Sequence, residues 1–447
     1  MALSALAFLM LFFVGLVLAF AIHPRFGLYT YLAVFYIHPP SRWWGDMLPD
    51  FRWSLIAAVV TLIALVRLPK VIGRPAFLSL TPVWLLIAFT LWVWLQNAWA
   101  LDPVMHLDFS ILLTKYLVLF YLMYRLVDSP SMLNDVLFVH VLGCFYLGWL
   151  AYQAPDAGRL DGLGGPGIDE ANALAMHVAT GVMAAAVLIM NPGRGLGWVR
   201  LTCALAMPFM LNVIIQSESR STALAFVAGV LVLWLMKPRS YRRLFYVGAA
   251  VGVAVVMFLG QEAFWNRMST IQTAVESRGD PASPAATRLA VINLQLKLAA
   301  EHPFGIGHRG IVVLAPSYLP AEHLARQGSR SSHNTYLTVL SEQGVPGAVL
   351  IGALMLWVLK TVWRMRDLRH RPDLTRLAGQ VAVLAAMLTV SAVGGLGVDY
   401  LKAEVQIWGL VLLTVLSVEY SIMHTVRESG PASDARVEGL RPARWSG

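Results

Sequence analysis

Three cationic residues far apart in the chain have the side chains for group-transfer chemistry: Arg220, Arg288 and His333. A positioned imidazole can take the proton of a hydroxyl as it attacks. A guanidinium can grip a phosphate through two parallel hydrogen bonds. His333 lies where the mostly polar segment 261–333 gives way to an apolar run, with Ser331, Ser332 and Asn334 around it. No other histidine combines a water–lipid boundary, a helix start and so many hydrogen-bonding neighbours. Arg220 closes Gln216-Ser-Glu-Ser-Arg-Ser-Thr222, a polar notch between two apolar stretches. There it opens the next helix, whose N-terminal amides favour an anion; pairing with Glu218 or reaching to lipid headgroups is the plainer alternative. Arg288 falls one turn into a helix expected from Ser283-Pro284, serine as N-cap and proline at the first helical position. A solvated arginine is its ordinary reading.

Other candidates are weaker. Lys115 sits inside an apolar helix, about eight residues or roughly 12 Å below its expected outer end. An ionisable group at that depth is either functional or snorkels outward. Gly162, Gly164 and Gly167 spell a G-x-G-x-x-G, but no strand precedes them and Pro166 interrupts them, so a dinucleotide loop is not expected. A glycine loop delivering Asp169 and Asn172 to a helix start, for sugar hydroxyls or simply as a cap, is more sensible. Arg309 and Arg330 read as further loop arginines, and His302, His308 and His323 as surface residues. No histidine pair has metal-ligand spacing. Cys144 and Cys203 read as inert core residues. The chain has no Asp-x-Asp, Walker loop, Cys-x-x-Cys or nucleophile elbow. An ATPase, a nucleotide-sugar enzyme or a redox protein is therefore unsupported.

The elements that must position these groups are membrane helices. Of 447 residues, 58% are hydrophobic and 13% charged, and mean hydropathy is +0.65; soluble chains are about 25% charged. Apolar runs fall near 4–22, 26–38, 53–68, 81–99, 108–127, 132–152, 170–190, 198–216, 220–236, 243–260, 334–363, 376–397 and 402–424. The first two flank His23-Pro24-Arg25 and form either a hairpin or one broken span, so twelve or thirteen spans are expected. Met1–Ala21 lacks a basic leader and a clear cleavage site and reads as a retained helix. The net charge of +9 gathers in 67–74, 237–243, 360–376 and the tail, which places those segments in the cytoplasm. The loops 39–52, 100–107, 153–169, 217–221, 261–333 and 398–401 then lie outside.

The expected organisation is an all-α polytopic bundle. An N-terminal transmembrane part spans 1–260, and a large periplasmic loop with helices spans 261–333. C-terminal transmembrane helices occupy 334–424, and a disordered cytoplasmic tail 425–447. Within the loop, 264–277 and 283–301 are the expected helices. The second has an apolar stripe of Leu289, Ile292, Leu296 and Ala299, and His302-Pro-Phe-Gly-Ile-Gly307 stops it.

These elements in this order, with Ser-Glu-Ser-Arg220-Ser, Thr-Arg288, His302-Pro-Phe-Gly-Ile-Gly307 and Ser-His333-Asn-Thr-Tyr-Leu, resemble the O-antigen ligase family. That family shares its core with the O-antigen polymerases and the O-glycosylation ligases. The specific resemblance runs from about 216 to 347, and the stretch holding Asp169 and Asn172 is similar to an upstream family element. The resemblance implies a membrane-integral C-type glycosyltransferase-like fold of about twelve transmembrane helices in the bacterial inner membrane. It implies an inverting transferase without metal or other cofactor, its site facing the periplasm. The donor would be a glycan on undecaprenyl diphosphate, and the acceptor the lipid A–core oligosaccharide. Arg220 and Arg288 would bind the diphosphate, and His333 would serve the acceptor hydroxyl. Lys115, Arg309, Asp169, Asn172 and Asn334 would be further substrate contacts. An O-antigen polymerase or protein O-glycan ligase would share this chemistry. A lipid-linked glycan flippase would instead need a polar path through the bundle, whereas the conspicuous polar groups cluster on one face.

Overall fold

The computed structural model describes residues 2–68, 74–153, 160–191, 197–260, 284–325 and 330–428, together with 262, 264–266, 268, 269 and 328. All thirteen apolar runs are helical. In order they are α1 (Leu3–Ala21), α2 (Arg25–Ile37), α3 (Trp53–Leu65), α4 (Thr81–Gln96), α5 (Pro103–Leu126), α6 (Pro130–Gln153), α7 (Ala171–Met190), α8 (Gly197–Gln216), α9 (Arg220–Met236) and α10 (Arg242–Leu259). The segment after α10 contributes α11 (Pro284–Glu301) and α12 (Gly310–Tyr318). Then come α13 (Thr335–Glu342), α14 (Gly344–Met365), α15 (Thr375–Gly394) and α16 (Val405–Glu428). Among the described residues there is no strand, and nine helices are long and apolar enough to cross a membrane. Three shorter apolar helices, α3, α4 and α9, run alongside them. The chain is thus an all-α, multi-pass membrane protein.

The expected boundaries shift in four places. The run 334–363 is two helices, because Gly344 turns the chain in the left-handed region at φ 71°. There its backbone presses against Phe304 and Gly305, where a side chain would collide. α5 begins at Pro103, with Asp102 accepting from Met105 N at 3.0 Å, five residues ahead of the apolar run. The stripe expected on α11 is not its buried face: Leu289 and Leu296 are 54% and 48% exposed, while Val291, Leu294, Gln295 and Leu298 are buried. That helix has apolar residues on two sides, and packing against α12 and α13 selects one of them. α16 carries helix into the tail as far as Glu428. The expected helix over 264–277, the Ser283 cap, Arg159 and the tail beyond 428 lie mostly or wholly outside the described residues.

The core is α7 and α15, almost wholly buried, packed by α6, α8, α9 and α16. Small residues let these backbones approach, as expected where lipid offers no hydrophobic drive. A side chain at Gly181 would strike Cys144, one at Gly394 Met176 and one at Gly229 Val390. α10 stands at the edge with no buried residue.

The loops expected on one side gather at one end of the bundle. Gly397, after α15, faces Ser221 of α9; Gly167, before α7, faces Lys402; and Leu101 N donates to Ile306 O at 3.1 Å. At the other end Arg74 donates to Tyr124 O and Val127 O and pairs with Glu419 at 3.1 Å, and Arg369 donates to Leu235 O. Basic segments therefore staple the end opposite the polar loops.

Candidate active site

The site grows from the start of α13. Asn334 is its N-cap, and Oδ1 accepts from Tyr336 N and Leu337 N at 3.0 Å each, two amides that the helix itself cannot satisfy. Asn334 Nδ2 donates to Leu396 O at 3.2 Å, and Thr335 N donates to Gly395 O at 2.8 Å. One residue before His333, Ser332 Oγ accepts from Gln295 Nε2 at 2.9 Å. His333 is thus held between two residues pinned to α11 and to the turn after α15.

His333 is half-buried and lines a pocket of about 80 Å³. Arg288, Ile292 and Gln295 enter it from one face of α11; Arg330 and Asn334 enter from the segment around His333; Gly397 closes the far wall. Arg288 and His333, 45 positions apart, therefore share one pocket. Behind the wall lies the first turn of α9: a side chain at Gly397 would come within 2.5 Å of Ser221 Cβ. Arg220 is the first residue of that helix, and the Ser219 cap accepts from Thr222 N at 3.2 Å. The notch holding Arg220 thus abuts the pocket wall.

The remaining candidates are placed differently. Asn172 is joined to the α9 start through Thr222 Oγ1, which donates to Asn172 O at 3.4 Å. Asp169 is exposed, and the α7 cap comes instead from Asp161, whose Oδ1 accepts from Ala171 N at 2.8 Å. Arg309 is exposed, with φ 63°, at the start of α12. Lys115 is exposed on α5, twelve residues past Pro103, and is not among the pocket residues.

His308, expected at the surface, is 3% exposed. Its ring stacks on Phe109 at 4.3 Å, its backbone N–H donates to His106 Nδ1 at 2.7 Å, and ring Nδ1 meets Glu342 Oε2 at 3.1 Å. Burial pushes the Glu342 carboxyl up to about 7 and the His308 imidazole down to about 3. Burial thus disfavours the charged form of both partners, which weakens the pair as an ion pair. Burial likewise pushes Asp399 up to about 6, and it lowers Lys402. Glu342 ends α13, and the strip Pro303–Gly307 is clamped against it. Gly307 N donates to Glu342 O at 2.9 Å, Val345 N to Pro303 O at 2.8 Å and Trp99 Nε1 to Gly305 O at 3.0 Å. Gly305 and Gly307 have φ 81° and 82°, which is why glycine occupies both. The motif that read as a helix stop is this clamp. The signal for Glu342 was an acid inside an apolar run.

Directly beneath the pocket an apolar groove of about 400 Å³ opens between α5, α14, α15 and α16. Thr335, Tyr336 and Gly395 form its upper end, Thr335 and Gly395 each adjacent in sequence to a pocket residue, and Met236 and Val362 its lower end. A second apolar groove of about 480 Å³ lies across α9, between α7, α8 and α10.

Among the described residues the donor atoms of His140, Cys144 and His177 lie within 4.8 Å of one another, close enough to share a metal ion. Hydrogen bonds already join two of them in a ring. Thr180 gives its proton to His177 O at 2.6 Å, so it accepts from His140 Nε2 at 2.9 Å. His140 Nδ1 then accepts from Tyr36, whose oxygen meets His177 Nε2 at 3.0 Å. The ring ties α2, α6 and α7 together.

Residues 205–352, from α8 into α14, match the family model described as O-Antigen ligase. The match spans the α9 start, the pocket and α13, about a third of the chain, and this segment is similar to the O-antigen ligase family of the ligase/polymerase superfamily. The activity of that superfamily is glycosyltransferase-like and directed at lipid-linked glycans. No curated protein matches the chain significantly.

Proposed function

We propose that the protein is an O-antigen ligase that moves a glycan from undecaprenyl diphosphate to lipid A–core at the periplasmic face of the inner membrane. The observation that supports this most is the stacking of a cationic pocket on an apolar groove. A lipid diphosphate has that same division: an anionic head and a long hydrocarbon tail. With the head among Arg288, His333 and the Arg220 turn, the tail descends past Thr335 and Tyr336 between the helices.

The acceptor hydroxyl attacks the anomeric carbon of the donor sugar. His333 takes the hydroxyl proton as the new C–O bond forms, which makes a poor nucleophile adequate. The bond from the anomeric carbon to the phosphate oxygen breaks on the opposite side, and the configuration inverts. Negative charge grows on the departing diphosphate, and guanidiniums aimed at it stabilise that charge with no metal required. Asn334 and Ser332 hold the His333 segment, so the geometry does not have to be assembled during the reaction.

The test is glycan transfer by purified protein from undecaprenyl-diphosphate glycan to lipid A–core, with EDTA present. Wild type should form the ligated product, and His333→Ala should lose at least about 100-fold in rate while inserting normally. Near-normal transfer by that variant would refute the role of His333. Glycan lengthening on its own lipid would make the protein a polymerase.

A further inference from the structure

His140, Cys144 and His177 take no part in the transfer pocket, yet all three are buried together inside the bundle. Ionisable groups are rare within membrane helices and are functional by default. His140 and Cys144 stand one turn apart on α6 and share a face; His177 meets them from α7. Cys144 Sγ lies 3.8 Å from His140 Nδ1, and one donor atom from each of the three falls within 4.8 Å of the others. Two ligands of one ion, a sulfur at about 2.3 Å and a nitrogen at about 2.0 Å from it, are about 3.6 Å apart. The cluster therefore needs to close by roughly 1 Å at most.

The proton positions fit as well. Thr180 gives its proton to His177 O, so His140 Nε2–H donates to Thr180. His140 Nδ1 therefore carries no proton, and the outer nitrogen is held as metal-bound imidazoles are held. A hydrogen-bonded staple of α2, α6 and α7 accounts for Tyr36, His140 and Thr180. It does not require Cys144, and it leaves His177 Nδ1 buried with no hydrogen-bond partner among the described residues.

We infer that His140, Cys144 and His177 form a structural site for a soft metal ion, copper(I). Thiolate with imidazole suits copper(I) or zinc, and the surroundings choose between them. No carboxylate belongs to the cluster, and Phe35 and Trp408 pack against its histidines. One thiolate and two neutral imidazoles make copper(I) neutral overall and leave zinc with a net positive charge, which an apolar interior penalises. The ion takes the place of the Cys144 thiol proton, which leaves to solvent, and it displaces Tyr36 from His140 Nδ1. It then locks α6 to α7. The assignment is independent of the donor reading.

The experiment measures metal content of the full chain, purified under reducing conditions without a histidine tag from cells supplied with copper and zinc. Wild type and the control Cys203→Ser should hold copper in equimolar amount. Cys144→Ser and His177→Gln should lose it at least about tenfold. The X-ray absorption spectrum of wild type, which needs no variant to fold, should show sulfur at about 2.3 Å and nitrogen at about 2.0 Å from the ion. Copper(I) added to metal-free wild type should raise Tm, and should not do so for Cys144→Ser. Zinc held in the same place and lost in the same variants would keep the site and overturn copper. Wild type without metal, or metal retained in Cys144→Ser, would overturn the site.

Discussion

Arg74 and Arg330 are both withdrawn from solvent, at opposite ends of the bundle, and the fold treats them in opposite ways. Arg74 is 5% exposed, donates to two backbone carbonyls and pairs with Glu419 at 3.1 Å. Its hydrogen bonds tie the segment leading to α4 to the end of α5 and to α16, and its charge is cancelled within the chain. Among the described residues, Arg330 has a buried Nε with no hydrogen-bond partner, and none of the residues lining its pocket is acidic. The first arginine is a staple; the second, in a pocket beside a histidine, is not used as one. The distinction rests on partners rather than on residue type or depth.

Removing each arginine tests that distinction, and the largest effect is expected at the staple. Arg74→Ala strands a buried Glu419 and should cost about 3–5 kcal/mol of stability. It should appear as a large fall in Tm, with turnover per folded molecule unchanged. Arg330→Gln should leave Tm unchanged, since it removes no staple. A Tm loss there comparable to that of Arg74→Ala would erase the contrast. Gly344→Ala should fall between them, at about 1–3 kcal/mol. Its φ of 71° and the backbone of Phe304 and Gly305 both oppose a side chain. Because that clamp positions α13, transfer should fall with Tm.

The smallest effect is a pH dependence from Glu342. Its folded value near 7 lies above the ordinary glutamate range, so the folded state holds a proton that the unfolded state releases. Stability from this group is full below about pH 4.5 and is lost as pH rises through about 7. His308 is neutral when folded but partly protonated when unfolded near its ordinary value of 6.5, so it adds a rise of stability with pH to wild type and variant alike. Thermal melts between about pH 6 and 7.5 should therefore show the Tm of wild type falling relative to that of Glu342→Gln. Parallel profiles for the two proteins would contradict the assignment.

The helices were legible because hydropathy is a local property, and all thirteen apolar runs became helices. Loop topology put Arg288 and His333 on one expected side, but that both line one pocket depends on contacts across the chain and could not be read from the sequence. What stayed hidden depends on contacts across the chain. His308 follows a Gly-Ile-Gly strip and looks like a loop residue, yet Phe109 and Glu342 bury it. Leu289 and Leu296 were as apolar as Val291 and Leu298, and only packing against α12 and α13 decided between the two faces. Arg330 looked like a solvated arginine because its place in the pocket cannot be seen until the chain closes around it.

The most direct test is a cryo-EM map of the protein in nanodiscs with undecaprenyl-diphosphate glycan bound. Diphosphate density between Arg288 and His333, with the isoprenoid running down past Thr335 and Tyr336, is the predicted result. Donor density in the other groove, between α8, α9 and α10 against Phe226 and Phe245, with the cationic pocket empty, would contradict it.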